Sequence, residues 1–567
     1  MNKIFKTFVL VSLLPLLLMA DAKENALTYG AWTLLPPLVT IILAFVTRNV
    51  VFSLFMGILS GTFLANIAGA NILTAFMNAF VDMSSKMVGS LADSWNAGII
   101  LQVLTIGGMI AVITKMGGPR AIAQALAARA KSPVSAQIYT WIMGFFIFFD
   151  DYANSLIVGP IMRPVTDKLK VSREKLAFII DSTAAPIAGL ALISTWVGYE
   201  LSLIKDAYTV LGQPEINAFG IFVETLPYRF YNILMLGFVF YSAYSLREFG
   251  PMHKAATRAY HTGEVSNPLS KNLINEENAF IMPKENMNYS MSNAIIPIFT
   301  LIVVAVVGFY INGKGALSPE ALKIVELDPY SFTSIRDCFG GADASIVIFE
   351  AALFASLVAI GMGLKQKIFS LQEAIETWVF GVKSLVITAV ILILAWSISA
   401  VMKELGTAMY LVSILSDSTP QFILPSAIFI LGSIISFSTG TSYGTMGILM
   451  PLAIPLASAV GIHTGLEGDD LHSYIVLNIG AVLTGAIFGD HCSPISDTSI
   501  LSSMGASCDH MDHVSTQLYY AIFVGIIAVV FGYIPAAYGV SAYILLPLGM
   551  LAIVLFIRFY GKPYTNK

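Results

Sequence analysis

The chain has 567 residues, 56% of them hydrophobic and 12% charged, with a formal net charge of −4 and a mean hydropathy of +0.78. Soluble domains carry about 25% charged residues, so the composition excludes an ordinary soluble protein, and it offers no basic nucleic-acid surface. It is the composition of an all-α polytopic membrane protein, whose topology is read from where Lys and Arg lie rather than from net charge.

In chain order, Lys3 and Lys6 precede the apolar run Phe8 to Met19, and Leu18-Met19-Ala20 offers a cleavage region. This predicts a signal peptide over 1–20, with an uncleaved anchor helix as the alternative. Runs of ~20 apolar residues are long enough to cross a bilayer. They predict about 11 spans, at 31–47, 50–67, 97–115, 176–204, 219–245, 293–311, 345–364, 382–402, 473–503, 517–537 and 541–558. The weakly apolar stretches 71–91 and 370–380 have a helical period and read as interfacial. Leu73 corresponds to Leu371, and Pro37-Leu38-Val39-Thr40 to Pro297-Ile298-Phe299-Thr300. The chain thus reads as two transporter repeats, 30–245 and 293–540, joined by a polar cytoplasmic linker over 246–290. An additional C-terminal helix and tail occupy 541–567.

Basic residues orient the repeats. With residue 21 outside, Arg48 falls inside, as do Lys115, Arg120, Arg129 and Lys131 and then Arg163, Lys168, Lys170, Arg173 and Lys175. The segment 134–162 lies between two inside clusters, so it is expected to enter and return as a re-entrant hairpin. From Glu404 to Ile557 there is no Lys or Arg, and 421–452 is expected to be a second hairpin entering from outside. The halves then have inverted topology. The loop 504–516, placed inside, has no positive charge of its own. Arg163 and Lys175 read as interfacial topology charges.

Polar strings set in apolar sequence mark the candidate site. The first copy is FFDDYANSLIVGP, from Phe148, followed by DSTAAPI, from Asp181; the second is SFSTGTSYGTMGILMP, from Ser436, followed by GDHCSPISDTSI, from Gly489. Tyr152 and Pro160 match Tyr443 and Pro451 at an offset of 291, and Pro186-Ile187 matches Pro494-Ile495 at 308. A carboxylate at mid-membrane costs ~2.5–3.5 kcal/mol on the insertion scale, so Asp150 and Asp151 must face protein, water or a cation; the plainer reading is that one caps a helix. Pro186 and Pro494 break their helices and free carbonyl groups, and Asp181 and Asp490 lie beside them, as acids do at cation sites in discontinuous transporter helices.

The candidate ion- or substrate-binding residues are Asp150, Asp151, Asn154, Asp181, Ser182, Thr183, Ser438, Thr439, Thr441, Ser442, Asp490, His491, Ser493 and Asp497. Na⁺ is expected at Asp150, Asp151, Asn154, Thr441 and Asp490, because hard cations take oxygen ligands. Ser496, Thr498 and Ser499 extend the polar surface or merely bond their own helix. The Cys508-to-His513 cluster fits no standard zinc spacing and reads as a polar loop.

Together FFDDYANS, DSTAAPIAGLALISTWVG, STGTSYGTMGILMPLAIPLA and GDHCSPISDTSILSS resemble the NhaC-type Na⁺/H⁺ antiporter family, over about 30–540. The resemblance implies inverted repeats with hairpins and alternating access. Members exchange Na⁺ for H⁺, or organic anions with ion coupling. The expectation is a non-enzymatic secondary transporter, most simply a Na⁺/H⁺ antiporter of the inner membrane. A Na⁺- or H⁺-coupled carrier of a small organic anion or amino acid is the alternative, and a channel a third class. The partners expected are Na⁺, H⁺ and the lipid bilayer, with an organic solute and a homodimer left open, and no cofactor or nucleic acid.

Overall fold

The computed structural model describes residues 24–47, 49–67, 71–148, 151–192, 194, 196–213, 215–267, 289–317, 319–415 and 419–565. The expected signal peptide and Asp150 lie outside the described residues.

Nine helices among the described residues are long and apolar enough to cross a bilayer: Glu24–Ala44, Ser94–Lys115, Ser292–Ala316, Ala344–Lys365, Leu371–Leu405, Ser442–His463, Gly468–Cys492, His510–Ala536 and Ala542–Phe559. Val50–Asn66 and Leu424–Thr439 are shorter apolar helices. Their outward faces carry bare aliphatic and aromatic side chains, such as Ile295, Phe299, Val303 and Val306 on Ser292–Ala316. Such a surface is stable only against lipid or another protein.

Several expected spans are not continuous; 219–245, for example, divides at a short 3-10 turn, Leu226–Tyr228. The stretch 176–204 divides into Arg173–Ser182, Ala185–Ala188 and Val197–Val210, and 473–503 divides into Gly468–Cys492 and Asp497–Ala506. Pro494 lies in the interruption of 473–503, and Pro186 in the first turn of the short helix Ala185–Ala188, where a missing amide hydrogen and a ring clash keep the preceding helix from continuing. The stretches expected to be interfacial form the helices Ile72–Ala92 and Leu371–Ser384, and the second abuts Val386–Leu405. Within the expected linker lies the helix Gly250–Thr262, next to Arg247–Glu248, which pairs antiparallel with Lys562–Pro563.

Eight helices position the site. They are α1 (Pro133–Phe146), α2 (Asp151–Lys168), α3 (Arg173–Ser182), α4 (Leu424–Thr439), α5 (Ser442–His463), α6 (Gly468–Cys492), α7 (Asp497–Ala506) and α8 (His510–Ile527). α1 and α2 pack on each other, as α4 and α5 do on either side of 440–441. α2 and α5 begin at Asp151 and Ser442, an offset of 291, and both of their internal prolines match at that offset, Pro160 with Pro451 and Pro164 with Pro455. α7 lies against α2, α3 and α8, so the two halves of the sequence meet along it.

Candidate functional site

The two interruptions leave carbonyl groups without helical partners, and a side chain satisfies each. Asn232 Nδ2 donates to the Pro186 carbonyl at 3.0 Å, and His510 Nε2 to the Pro494 carbonyl at 2.7 Å. Arg229 donates to the Gly189 carbonyl and pairs with Glu200 at 2.7 Å, both buried. Irregular backbone at membrane depth requires such partners.

The first turn of α7 reaches both buried acids. Ser496, at its cap, donates to Asp490 Oδ1 at 2.7 Å, and Ser499 donates to Asp181 Oδ2 at 2.8 Å. Asp490, 6% exposed, takes a second donor at Oδ2 from Ser442, the first residue of α5, at 2.9 Å. Asp181 is fully buried, and Gln517 of α8 also donates to its Oδ2, at 2.8 Å. His513 Nε2 stands 3.7 Å from that oxygen. Asp181 Oδ1 has no hydrogen-bond partner. A desolvated carboxylate is costly unless donors surround it.

Asp151 and Asp497 are the first residues of α2 and α7, and Thr441 precedes α5. All three line one cavity of about 310 Å³, together with Asn49, Thr388, Thr439 and Tyr443. Three helix N-termini therefore converge on it, and their dipoles stabilise carboxylates there. No Lys, Arg or His is among the described residues that line it. Its carboxylates and hydroxyls, set among Val50, Val51, Leu385, Ile387, Ile391 and Ile495, could take a hard monovalent cation.

The remaining expected residues divide. Asn154 Nδ2 donates to the Thr183 carbonyl at 2.5 Å, tying α2 to the end of α3, while its Oδ1 has no hydrogen-bond partner. Ser182 meets His491 Nε2 at 3.0 Å, and Tyr231 meets His491 Nδ1 at 2.7 Å, so this histidine is a satisfied buried group. Thr183 and Thr439 bond carbonyls of their own helices. Ser493 donates to the Phe437 carbonyl at 2.7 Å, joining the break after α6 to α4. Ser438 is half-buried near the end of α4.

Lys175, expected as an interfacial charge, is buried in the protein and bonded to Glu248 at 2.8 Å and Ser242 at 2.7 Å. The stretch 504–516 is not mainly loop, because α7 runs to Ala506 and Asp509 caps α8 by accepting from the Met511 and Asp512 amides. The positive charge missing from this stretch comes from elsewhere. Arg163 donates to the Ser507 side chain, and Arg173 to its carbonyl at 3.0 Å. Gln517, Ser503 and Tyr231 were not singled out from sequence. A signal for Gln517 existed, since His510, His513 and Gln517 are spaced three and four apart and fall on one helix face.

The Na⁺/H⁺ antiporter family model matches residues 187–534. An uncharacterised protein of Haemophilus influenzae is 33% identical over 492 residues, covering 87% of this chain and 88% of that protein. The malate-2H⁺/Na⁺-lactate antiporter of Bacillus subtilis is 39% identical over 106 residues, 18% of this chain and 20% of that one. Among solved structures, the YdaH transporter of Alcanivorax borkumensis has a similar fold, with a TM-score of 0.54 at 11% identity, covering 83% of this chain and 90% of that chain. The chain belongs to the Na⁺/H⁺ antiporter family and is a multi-pass membrane protein of secondary active antiport.

Proposed function

We propose that the protein exchanges Na⁺ for H⁺ across the inner membrane. In this reading Na⁺ enters the cavity beside Asp151, Asp497 and Thr441 and reaches Asp490, while H⁺ is carried on Asp181. The observation that carries the reading is the first turn of α7, which bonds Asp490 through Ser496 and Asp181 through Ser499. Such a turn couples the occupancy of one acid to the other without a basic side chain between them. The equal offsets of α2 and α5 support two re-entrant hairpins in inverted repeats, with 30–245 and 293–540 as the repeat units. Arg163 and Arg173 at Ser507 support an inside position for the turn between α7 and α8.

The test is purified protein in liposomes holding a pH dye, challenged with Na⁺, Li⁺ and K⁺. Na⁺ is expected to move the internal pH where K⁺ does not. Coupled sites bind reciprocally, so the apparent Na⁺ affinity is expected to fall as pH drops. An affinity independent of pH rejects competition between the ions.

A second reading rests on the cavity, whose ~310 Å³ is several times what one cation with a water or two fills, at ~30 Å³ per water. It fits a small carboxylate accompanied by Na⁺, in line with the substrates named for the Bacillus subtilis relative. Uptake of labelled malate or lactate driven by counterflow supports this reading; its absence leaves ion exchange.

A further inference from the structure

A continuous hydrogen-bonded chain leads from Asp181 to the surface and is not used by the cation site. Gln517 Nε2 donates to Asp181 Oδ2 and also to the His491 carbonyl. A carbonyl only accepts, which fixes the Gln517 amide with Oε1 toward His513. His513 Nε2 lies 2.9 Å from that oxygen, so Nε2 carries hydrogen. At the other end His510 Nε2 lies 2.7 Å from the Pro494 carbonyl, so it too carries hydrogen. Both Nδ1 atoms then face one hydroxyl: Ser503 Oγ is 2.8 Å from His513 Nδ1 and 3.0 Å from His510 Nδ1. Ser503 Oγ also lies 2.7 Å from the Ser499 carbonyl.

With both imidazoles neutral, three acceptors converge on a single hydroxyl hydrogen. A proton added to either Nδ1 turns an acceptor into a donor toward Ser503 Oγ and relieves the shortage. His513 and Gln517 are buried; His510 is half-buried at the start of α8, beside the exposed Met511. We propose that His510, Ser503 and His513 form a proton relay between water at the turn joining α7 to α8 and Asp181, with Gln517 holding His513 and Asp181 in register.

One transfer balances as follows. A proton from water makes His510 cationic, with Nδ1–H donated to Ser503. His510 Nδ1 passes its proton to Ser503 Oγ, Ser503 passes its own to His513 Nδ1, and His513 Nε2 passes its own to an Asp181 oxygen. The 3.7 Å gap must close to hydrogen-bond length for the last transfer. His510 ends neutral, Asp181 ends as the carboxylic acid, and His513 ends as the Nδ1–H tautomer, which regains the Nε2–H form when a proton next passes back from Asp181 by the reverse sequence. Other ionisable groups packed around α8 are His491, the Glu174–Arg258 and Lys175–Glu248 pairs, Cys508, Asp509 and Asp512. None of these lies between His510, Ser503, His513, Gln517 and Asp181, which contact one another directly.

The proposal rests on the Na⁺/H⁺ reading, and its test separates the two. The same liposomes are assayed for Na⁺-driven H⁺ movement and for exchange of labelled Na⁺ against Na⁺ without a pH gradient. His513→Gln and Ser503→Ala are expected to slow H⁺ movement at least tenfold while Na⁺/Na⁺ exchange stays within twofold. Ser503→Thr, which keeps the hydroxyl, is expected to retain both. Equal loss of both fluxes in Ser503→Ala and His513→Gln assigns these residues to structure and overturns the relay, as does unchanged H⁺ movement in both variants. A wild-type protein that exchanges Na⁺ but moves no H⁺ overturns the Na⁺/H⁺ reading and the relay with it, before any variant is made.

Discussion

Asp181 and Asp490 occupy matching places, each a few residues before a helix-breaking proline, yet their surroundings differ. Both oxygens of Asp490 accept from hydroxyls, Ser496 and Ser442, that sit at the starts of helices bordering the cavity. Asp181 takes both of its donors on one oxygen, beside His513, and leaves the other oxygen without a hydrogen-bond partner. Two similar acid-and-proline segments thus have different neighbours. Hydroxyls that can turn their lone pairs to a cation surround Asp490, and groups that can hand on a proton adjoin Asp181. The carbonyls of the two prolines themselves repeat the contrast: Asn232 satisfies the Pro186 carbonyl, and the ionisable His510 satisfies the Pro494 carbonyl.

Neutralising each acid in turn breaks this comparison most directly. Asp490→Asn is expected to reduce both Na⁺/Na⁺ exchange and Na⁺-driven H⁺ movement at least 100-fold, because a neutral amide gives Na⁺ no counter-charge in a dehydrated site. Asp181→Asn is expected to abolish H⁺ movement and spare Na⁺/Na⁺ exchange. Fluxes measured in liposomes decide it, and the opposite pattern exchanges the two roles.

The turn between α4 and α5 depends on a glycine. Gly440 has φ +68°, and a Cβ there would lie 2.6 Å from the Ile495 carbonyl oxygen. Gly440→Ala must therefore pay left-handed strain of ~1–2 kcal/mol and separate the tip from the break after α6. Gly263→Ala, at φ +79° with open space, carries the strain alone. Thermal unfolding in detergent is expected to show a larger loss for Gly440→Ala, accompanied by loss of transport. Equal shifts in the two variants would show that the contact with Ile495 contributes nothing.

Much of this arrangement was legible in the sequence because helix breakers and buried acids are rare in lipid-embedded chains. Pro186 and Pro494 located both interruptions, and the repeated Tyr–Pro spacing aligned α2 with α5. What the sequence left hidden is partnership between distant segments. Ser496 and Ser499 stand three apart on one helix, but nothing local says that they serve different acids. Gln517 lies 336 residues from Asp181, and the polar start of α8 read as loop because its hydrophobic run begins later. The partner of Lys175, Glu248, is hidden for a similar reason: it comes from a segment that the sequence presents only as linker.

A finer division of the same comparison uses the two serines of α7. A hydrogen bond to a charged group is worth ~1.5–3 kcal/mol. Ser496→Ala is therefore expected to lower the apparent Na⁺ affinity about tenfold, since 1.4 kcal/mol is a factor of ten. The loss should be largest at acid pH, because a carboxylate deprived of a donor holds a proton more readily. Ser499→Ala is expected to leave Na⁺ affinity within twofold. Na⁺ titrations of the initial dye response at several pH values measure both, and equal effects would mean that the two acids form one undivided site.

The smallest expected effect belongs to Thr441, which sharpens the cation side alone. It precedes α5, makes no capping bond with its side chain and lines the cavity, so its hydroxyl is available to the substrate. A hydroxyl stays neutral throughout the working pH range. Thr441→Ala is thus expected to weaken Na⁺ binding about two- to fivefold, consistent with the ~0.5–1.5 kcal/mol of a neutral hydrogen bond, while the pH profile keeps its shape. Thr441→Ser should restore the affinity. A Thr441→Ala variant with unchanged Na⁺ affinity but altered malate or lactate counterflow would move the hydroxyl from the ion to an organic substrate. In that case the cavity serves the solute, and the acids beside it serve the ion that accompanies the solute.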